Sequence, residues 1–284
     1  MTHSPNYPPQ PANGKVPLGK TRSAGGPAGI RNALGYAVDV VRTLVGRELK
    51  IRYKGSLLGL LWAVLSPLGM VLVLYFLFSQ VVPLNIPHYA AFVYCGLLPW
   101  TWFQSSLQSG SSTLFDNRDL VRKPFFPRPL LPAVVMGTNF FLYQLALPVL
   151  LALLLADGVP LTPLLLLLPA VWVVQALFTL ACTTLFAALG VLVRDVQHLL
   201  GVVLIFWFYL TPIFYDPTVV APEYAQWLML NPVAILVQAH RDVALYMQPP
   251  DWGALGTLGG ISAVLLIGSL WLFRVLEDAF VEEV

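Results

Sequence analysis

Between Gly55 and Phe115 there is not one Lys, Arg, Asp or Glu. A water-soluble domain does not run that long without charge, because about a quarter of its residues are charged. The whole chain has 11% charged and 57% hydrophobic residues over 284 positions, which places it among membrane proteins. Hydrocarbon offers no water to backbone N–H and C=O groups, so a chain of this kind crosses it as helices of about 20 mostly apolar residues. Six segments meet that requirement, near 57–82, 89–115, 130–156, 161–193, 198–215 and 253–273. The fold class expected is an all-α integral membrane protein with six transmembrane helices. The fourth segment is long, and Pro169 kinks it or marks its start. The fifth is short, with Thr211-Pro212 placed to break it.

The cations are distributed one-sidedly. With the N-terminus inside, nine lie before the first span, and Arg118, Arg122, Lys123 and Arg128 follow the second. Arg194 and Arg274 fall on the same side, so that only Arg241 lies outside among sixteen Lys and Arg. The positive-inside rule then puts both termini, including residues 276–284, in the cytoplasm.

Residues 31–54 have another character. Leu34, Val38, Val41, Val45 and Leu49 recur at helical spacing, with Asp39, Arg42, Arg47 and Lys50 largely elsewhere around the axis. This reads as an amphipathic helix lying in the membrane interface, or as a plain juxtamembrane anchor. Residues 216–252 are too polar to span. They read either as re-entrant helices over a pore or as an ordinary outer loop.

Residues 1–30 form a Pro- and Gly-rich tail without strand or helix signals, read as a disordered cytoplasmic segment. The tail contains GKVPLGKT at 14–21, a letter match to the phosphate-binding loop. No apolar strand precedes it, Pro17 removes an N–H that phosphate would need, and RSAGGPAG after it is not a helix. The match is read as coincidence. Cys95 and Cys182 sit far apart in apolar segments, and the four histidines are scattered. No paired carboxylates, metal-ligand spacing or nucleophile constellation stands out, so no catalytic or metal residue is expected. The spans also lack acidic or basic residues of the kind that ion-coupled carriers use in mid-membrane. Any transport is therefore powered by a partner.

FDNRDLVRKPFFPRPLLP, residues 115–132, is the docking candidate, with Phe125 and Phe126 able to plug into a groove on a soluble partner. The alternative is a basic loop over lipid headgroups. Aromatic clusters at 99–103 and 206–215 suit an interfacial belt or a stacking track for sugar rings.

Six stretches in order then carry a resemblance: IRYKGSLLGLLWAVLSPLGM (51–70), GLLPWTWF (96–103), LVRKPFFPRPLLP (120–132), VRDVQHLL (193–200), YLTPIFYDP (209–217) and LNPVAILVQAHRDVAL (230–245). Together, over about residues 32–280, the chain resembles the type-2 ABC permeases that export polysaccharides and polyol phosphates, such as O-antigen and teichoic acid. The resemblance implies a homodimer of six-span subunits (55–275) in the bacterial inner membrane, paired with two copies of an ATP-binding subunit. ATP and Mg would sit on that subunit, and no cofactor on this chain. It implies a coupling helix at 116–128, with Arg118, Arg122, Lys123, Phe125, Phe126 and Arg128 facing the ATPase. Pro124 and Phe125 depart from the family pattern there. It implies gate and interfacial roles for Arg52, Tyr53, Lys54, Arg194 and Asp195, and an aromatic channel including Trp62, Trp207, Tyr209, Phe214 and Tyr215. The substrate implied is a lipid-linked glycan; lipids, not nucleic acid, are the other contact. Two other readings stay open: a permease for drugs or small lipids, and a membrane enzyme acting on lipid-linked sugars through Asp216, Glu223, Asp242 or Asp251.

Overall fold

The computed structural model of the chain describes residues 27–53, 57–123, 126–193 and 195–276, and every regular element among them is a helix. Lys20, Lys54, Pro124, Phe125 and Arg194, with the GKVPLGKT stretch, lie outside the described residues. The chain falls into two units, residues 1–38 and 39–284. The described part of the first is the helical stretch 27–38. The packing, cavities and sites lie within the second.

In chain order the helices are α1 (Pro27–Tyr53), α2 (Leu57–Phe76), α3 (Tyr89–Ser111), the single turns α4 (Thr113–Asp116) and α5 (Arg118–Val121), α6 (Leu130–Ala156), α7 (Leu168–Leu192), α8 (Val196–Leu210), α9 (Pro222–Met229), α10 (Pro232–Ala244) and α11 (Trp252–Val275). Among the described residues, three stretches are long and apolar enough to cross a membrane: Leu130–Ala156, Pro163–Leu192 and Trp252–Val275. Leu65–Val81 and Val196–Leu210 are apolar but shorter.

Proline and capping residues set many of the boundaries. α2 ends in a π-helical turn, Leu77–Val81, where Val82 N donates to Leu77 O at 2.8 Å. A 3-10 turn at Pro163–Leu167 leads into α7, and Pro169 stands in the first turn of α7, where its missing N–H costs nothing. Asn231 Oδ1 accepts from Val233 N at 3.0 Å and starts α10, with Pro232 following it. Asp251 Oδ1 accepts from Gly253 N and Ala254 N and starts α11. α8 stops at Leu210, short of the helical segment read to 215. Thr211, preceding Pro212, is held in the extended region, with φ −98° and ψ 131°.

α3 is the central helix, with Ala91 to Leu98, Trp100, Trp102, Phe103 and Leu107 among its buried residues. Pro99 lies within it, and α7 is tied to the helix at that point, where Gln175 Nε2 donates to Pro99 O at 2.8 Å. α3 and α7 approach so closely that a Cβ on Gly110 would land on Thr183, and one on Gly190 would meet the Ser111 carbonyl. α7 in turn lies along α11, where Ser269 Oγ donates to Ala181 O at 3.1 Å. α2 and α8 both touch α3 and otherwise expose apolar side chains, among them Leu72 and Val73 on α2, and Val202 and Phe206 on α8.

Candidate functional site

Three groups of residues bear on function. The first is the segment between α3 and α6. Its helix is narrower than the 116–128 expected. Among the described residues of this range only the turns α4 and α5 are helical, and Arg128 Nε donates back to Val121 O at 3.0 Å. Ser112 Oγ donates to Asp116 Oδ2 at 2.7 Å and fixes α4. Arg118, Arg122 and Lys123 are exposed, with the Arg118 guanidinium 5.6 Å from the Phe115 ring centre. Phe126 does not stand out as a free anchor. It is half-buried against a cluster of Leu114, Val121, Leu131, Ala188, Val191 and Phe273, so its ring belongs largely to this chain's own packing.

Beside this segment lies a cavity of about 650 Å³, walled by α1, the end of α3, the α4–α5 turns, the start of α6 and Gln197 of α8. Arg47, Glu48 and Arg52 enter from α1, and Asp116 and Asn117 from the opposite wall. Arg52 Nη2 stands 3.8 Å from Glu48 Oε1, an exposed pair of small energetic weight. Arg52 thus opens onto the same space as the α4–α5 turns. Tyr53 closes α1, and Asp195, exposed, precedes α8.

The second group is aromatic. Phe214 stacks on Phe78 at 5.9 Å and meets Tyr209 at 5.9 Å and Tyr215 at 5.1 Å edge-on. Tyr89 OH donates to Phe214 O at 2.9 Å. Trp207 turns the other way, packing on Phe103 at 5.2 Å and donating Nε1 to Asn231 Oδ1 at 2.9 Å. Of the five channel aromatics expected, the structure brings Tyr209, Phe214 and Tyr215 together and builds Trp207 into the core. Trp62 stands apart on α2, 63% exposed.

The third group was missed by the sequence reading, which took Arg241 as the one cation of an outer loop. Arg241 is fully buried on α10. Its Nη1 donates to Pro212 O at 2.7 Å and its Nη2 to Ile213 O at 2.6 Å, while the guanidinium lies 3.5 Å from the Phe92 ring centre. The signal that could have found it is the break at Thr211-Pro212, which leaves carbonyls in need of donors. Next to it Asp242, also buried, accepts from Gln238 Nε2 and Gln248 Nε2 at 2.9 and 2.8 Å. That carboxylate is committed to closing the end of α10. Among the described residues, no three His, Cys, Asp or Glu side chains are grouped so as to hold a metal.

The ABC-2 type transporter family model matches residues 39–245. Over 244 residues the chain is 39% identical to an O-antigen export system permease protein of Myxococcus xanthus, covering 85% of this chain and 94% of that one. It is 29% identical to an O-antigen export system permease protein of Klebsiella pneumoniae, over 88% of this chain and 96% of that one. It is 22% identical to a polysialic acid transport protein of Escherichia coli, over 84% and 94%.

Proposed function

This chain belongs to the ABC-2 type transporter family, and on that premise we propose that it is the channel-forming permease subunit of an ATP-driven exporter of a lipid-linked polysaccharide. The observation that carries the reading is the near full-length similarity to O-antigen export permeases. The chain is a multi-pass membrane permease that works with a separate ATP-binding subunit, and it is a transporter component, not an enzyme.

α2, α3, α6, α7 with its leading 3-10 turn, α8 and α11 form six spans of the bacterial inner membrane, with both termini cytoplasmic. The one-sided distribution of Lys and Arg supports this. α1 from Asp39 onward lies in the cytoplasmic interface, and α9 and α10 are re-entrant from the outer side. Two copies of the chain pair with two ATP-binding subunits, which carry ATP and Mg. The exposed cations Arg118, Arg122 and Lys123 beside α5 meet the ATPase, and the cavity between that segment and Arg52 of α1 is the cytoplasmic mouth. Closure of the ATPase dimer supplies the differential binding that shifts the permease between states. Tyr209, Phe214 and Tyr215 face the outer part of the path.

Deleting the chain from its producing cell tests this. Surface polysaccharide should be lost while lipid-linked glycan accumulates on the cytoplasmic side; unchanged surface polysaccharide would refute the reading, and acquired drug sensitivity in its place would favour a drug permease. In a second test, the purified chain should hydrolyse no ATP alone and permit turnover with its partner. Turnover by the isolated chain that disappears in Lys20→Ala would make the tail motif functional and overturn the division of labour.

A further inference from the structure

From Thr101 to Ser112 α3 and its last turn separate by face. Trp102, Phe103, Ser106, Leu107, Gly110 and Ser111 are buried against α6 and α7. Every position left open is polar: Thr101, Gln104, Ser105, Gln108, Ser109 and Ser112, at the three- and four-residue spacing of one helix face. The flanking helices do the reverse, exposing Leu72 and Val73 on α2 and Ile205 and Phe206 on α8. A row of amides and hydroxyls turned to hydrocarbon is strongly disfavoured, since nothing there hydrogen-bonds to it. The face therefore meets something wet or polar.

Three openings adjoin it. Gln108, Ser109 and Ser112 line the 650 Å³ cavity. Thr101 and Ser105 line one of about 190 Å³ with Ser66 and Asn139. Thr101 and Gln104 line one of about 360 Å³ between α2 and α8, with Met70, Ile205 and Tyr209. The row thus leads from the cavity at Arg52 to the tyrosine beside Phe214. Trp100 Nε1 donates to Gln104 Oε1 at 2.6 Å, which occupies the acceptor and leaves the amide donors. The side chains of Ser105, Gln108 and Ser109 have no hydrogen-bond partner among the described residues. α8 passes beside Gln108 at Gly201, where a Cβ would stand in ordinary contact, 3.9 Å from Gln108 Nε2.

We infer that this face of α3 is the hydrogen-bonding wall of the translocation path, on which hydroxyl groups of a glycan strand exchange partners as the strand advances. The inference rests on the polysaccharide-export reading. Neutral amides and hydroxyls suit sugar hydroxyls, which both donate and accept. They hold no charge with which to trap a phosphate or an ion, and a moving polymer needs contacts that are many and individually weak. A second copy of the chain fits less well. The row is recessed, with only Ser105 and Gln108 exposed, and a packed helix would leave the adjoining cavities unfilled.

The test uses single cysteines in a Cys95→Ala, Cys182→Ala background, in membranes of the producing cell with the partner subunits present. The probe is a small charged methanethiosulfonate, which reacts through the thiolate and so reports water. Gln104→Cys, Ser105→Cys and Gln108→Cys should label at least tenfold faster than Val264→Cys and Ile267→Cys on the exposed face of α11. Labelling as slow as those controls would overturn the inference, as would efficient disulfide formation between copies at position 108, which would assign the face to subunit contact. In addition, Gln104→Leu with Gln108→Leu should lower surface polysaccharide several-fold at unchanged membrane levels of the chain; unchanged export would overturn the glycan role. If deletion of the whole chain leaves surface polysaccharide intact, the export reading fails separately, and labelling still decides whether the face is wet.

Discussion

Arg241 on α10 donates Nη2 to the carbonyl of Ile213 at 2.6 Å, 28 residues earlier, and Nη1 to the neighbouring Pro212 carbonyl. The guanidinium caps the broken end of α8 from inside the protein. Its planar fork serves two adjacent acceptors at once while its face rests on Phe92, a geometry that an ammonium group does not reproduce. Removing it strands two buried carbonyls, at roughly 1–3 kcal/mol each. Arg241→Lys should therefore destabilise the chain nearly as much as Arg241→Met, each by about 2–4 kcal/mol. Denaturant titration of the purified chain in detergent measures this, and a Lys variant of wild-type stability would contradict the fork geometry.

Asn231 holds the same break from the other end of α10. It accepts from Trp207 Nε1 and Val233 N and donates to Thr211 Oγ1 at 2.9 Å. Asn231→Asp keeps the acceptor and the helix cap but loses the donor to Thr211. Asn231→Leu loses these three bonds and the longer donation from Nδ2 to Leu210 O at 3.4 Å. The Leu variant should cost about 2–3 kcal/mol, the Asp variant about 1 kcal/mol, on the scale of lost caps and single hydrogen bonds. Equal losses in the same titration would show that the cap, and not the link to α8, carries the effect.

Close approach of α3 and α7 gives a sharper contrast among glycines. A Cβ at position 190 would strike the Ser111 carbonyl, which is backbone and cannot swing aside. Gly190→Ala should destabilise by about 1–3 kcal/mol or more, as overpacking does. Gly256→Ala and Gly260→Ala on α11 meet nothing within 4 Å and should be neutral or slightly stabilising, because a helix-interior glycine is itself a weak point. Expression and melting temperature of the three variants side by side check the ranking.

Much of the helical layout was legible because hydrocarbon tolerates so few backbone conformations. Most of the charge-free stretch 55–115 is helix where it is described, with its main break at 82–88, and Thr211-Pro212 marks its own break. What stayed hidden depends on faces and partners. The polar row of α3 is written in TWFQSSLQSGSS at helical spacing, yet a segment weighed only for mean apolarity does not reveal which side is open. Arg241 could be placed only once the Pro212 and Ile213 carbonyls lay beside it, and no local pattern in QAHRDVAL announces that. Phe126 shows the converse: an aromatic between basic residues has the composition of a docking anchor, while its site in the cluster with Val121 and Phe273 exists only once α5, α6 and α11 are packed.

The proposed ATPase contact is testable by separating two kinds of loss. Arg118 and Lys123 are exposed, so charge reversal there should leave the fold intact, within about 0.5 kcal/mol, as surface substitutions do. The same change should weaken assembly with the ATP-binding subunit several-fold, more so at low salt, where unscreened charge acts over a longer range. Phe126→Ala should instead lower the stability of the isolated permease by about 1–3 kcal/mol, because its half-buried ring leaves a gap in the Leu114–Val121–Phe273 cluster. Co-purification of the two subunits across a salt series, set beside denaturation of the permease alone, distinguishes them. If Arg118→Glu, Lys123→Glu assembles as wild type at every salt concentration, the exposed cations face lipid, and the partner docks elsewhere on the chain.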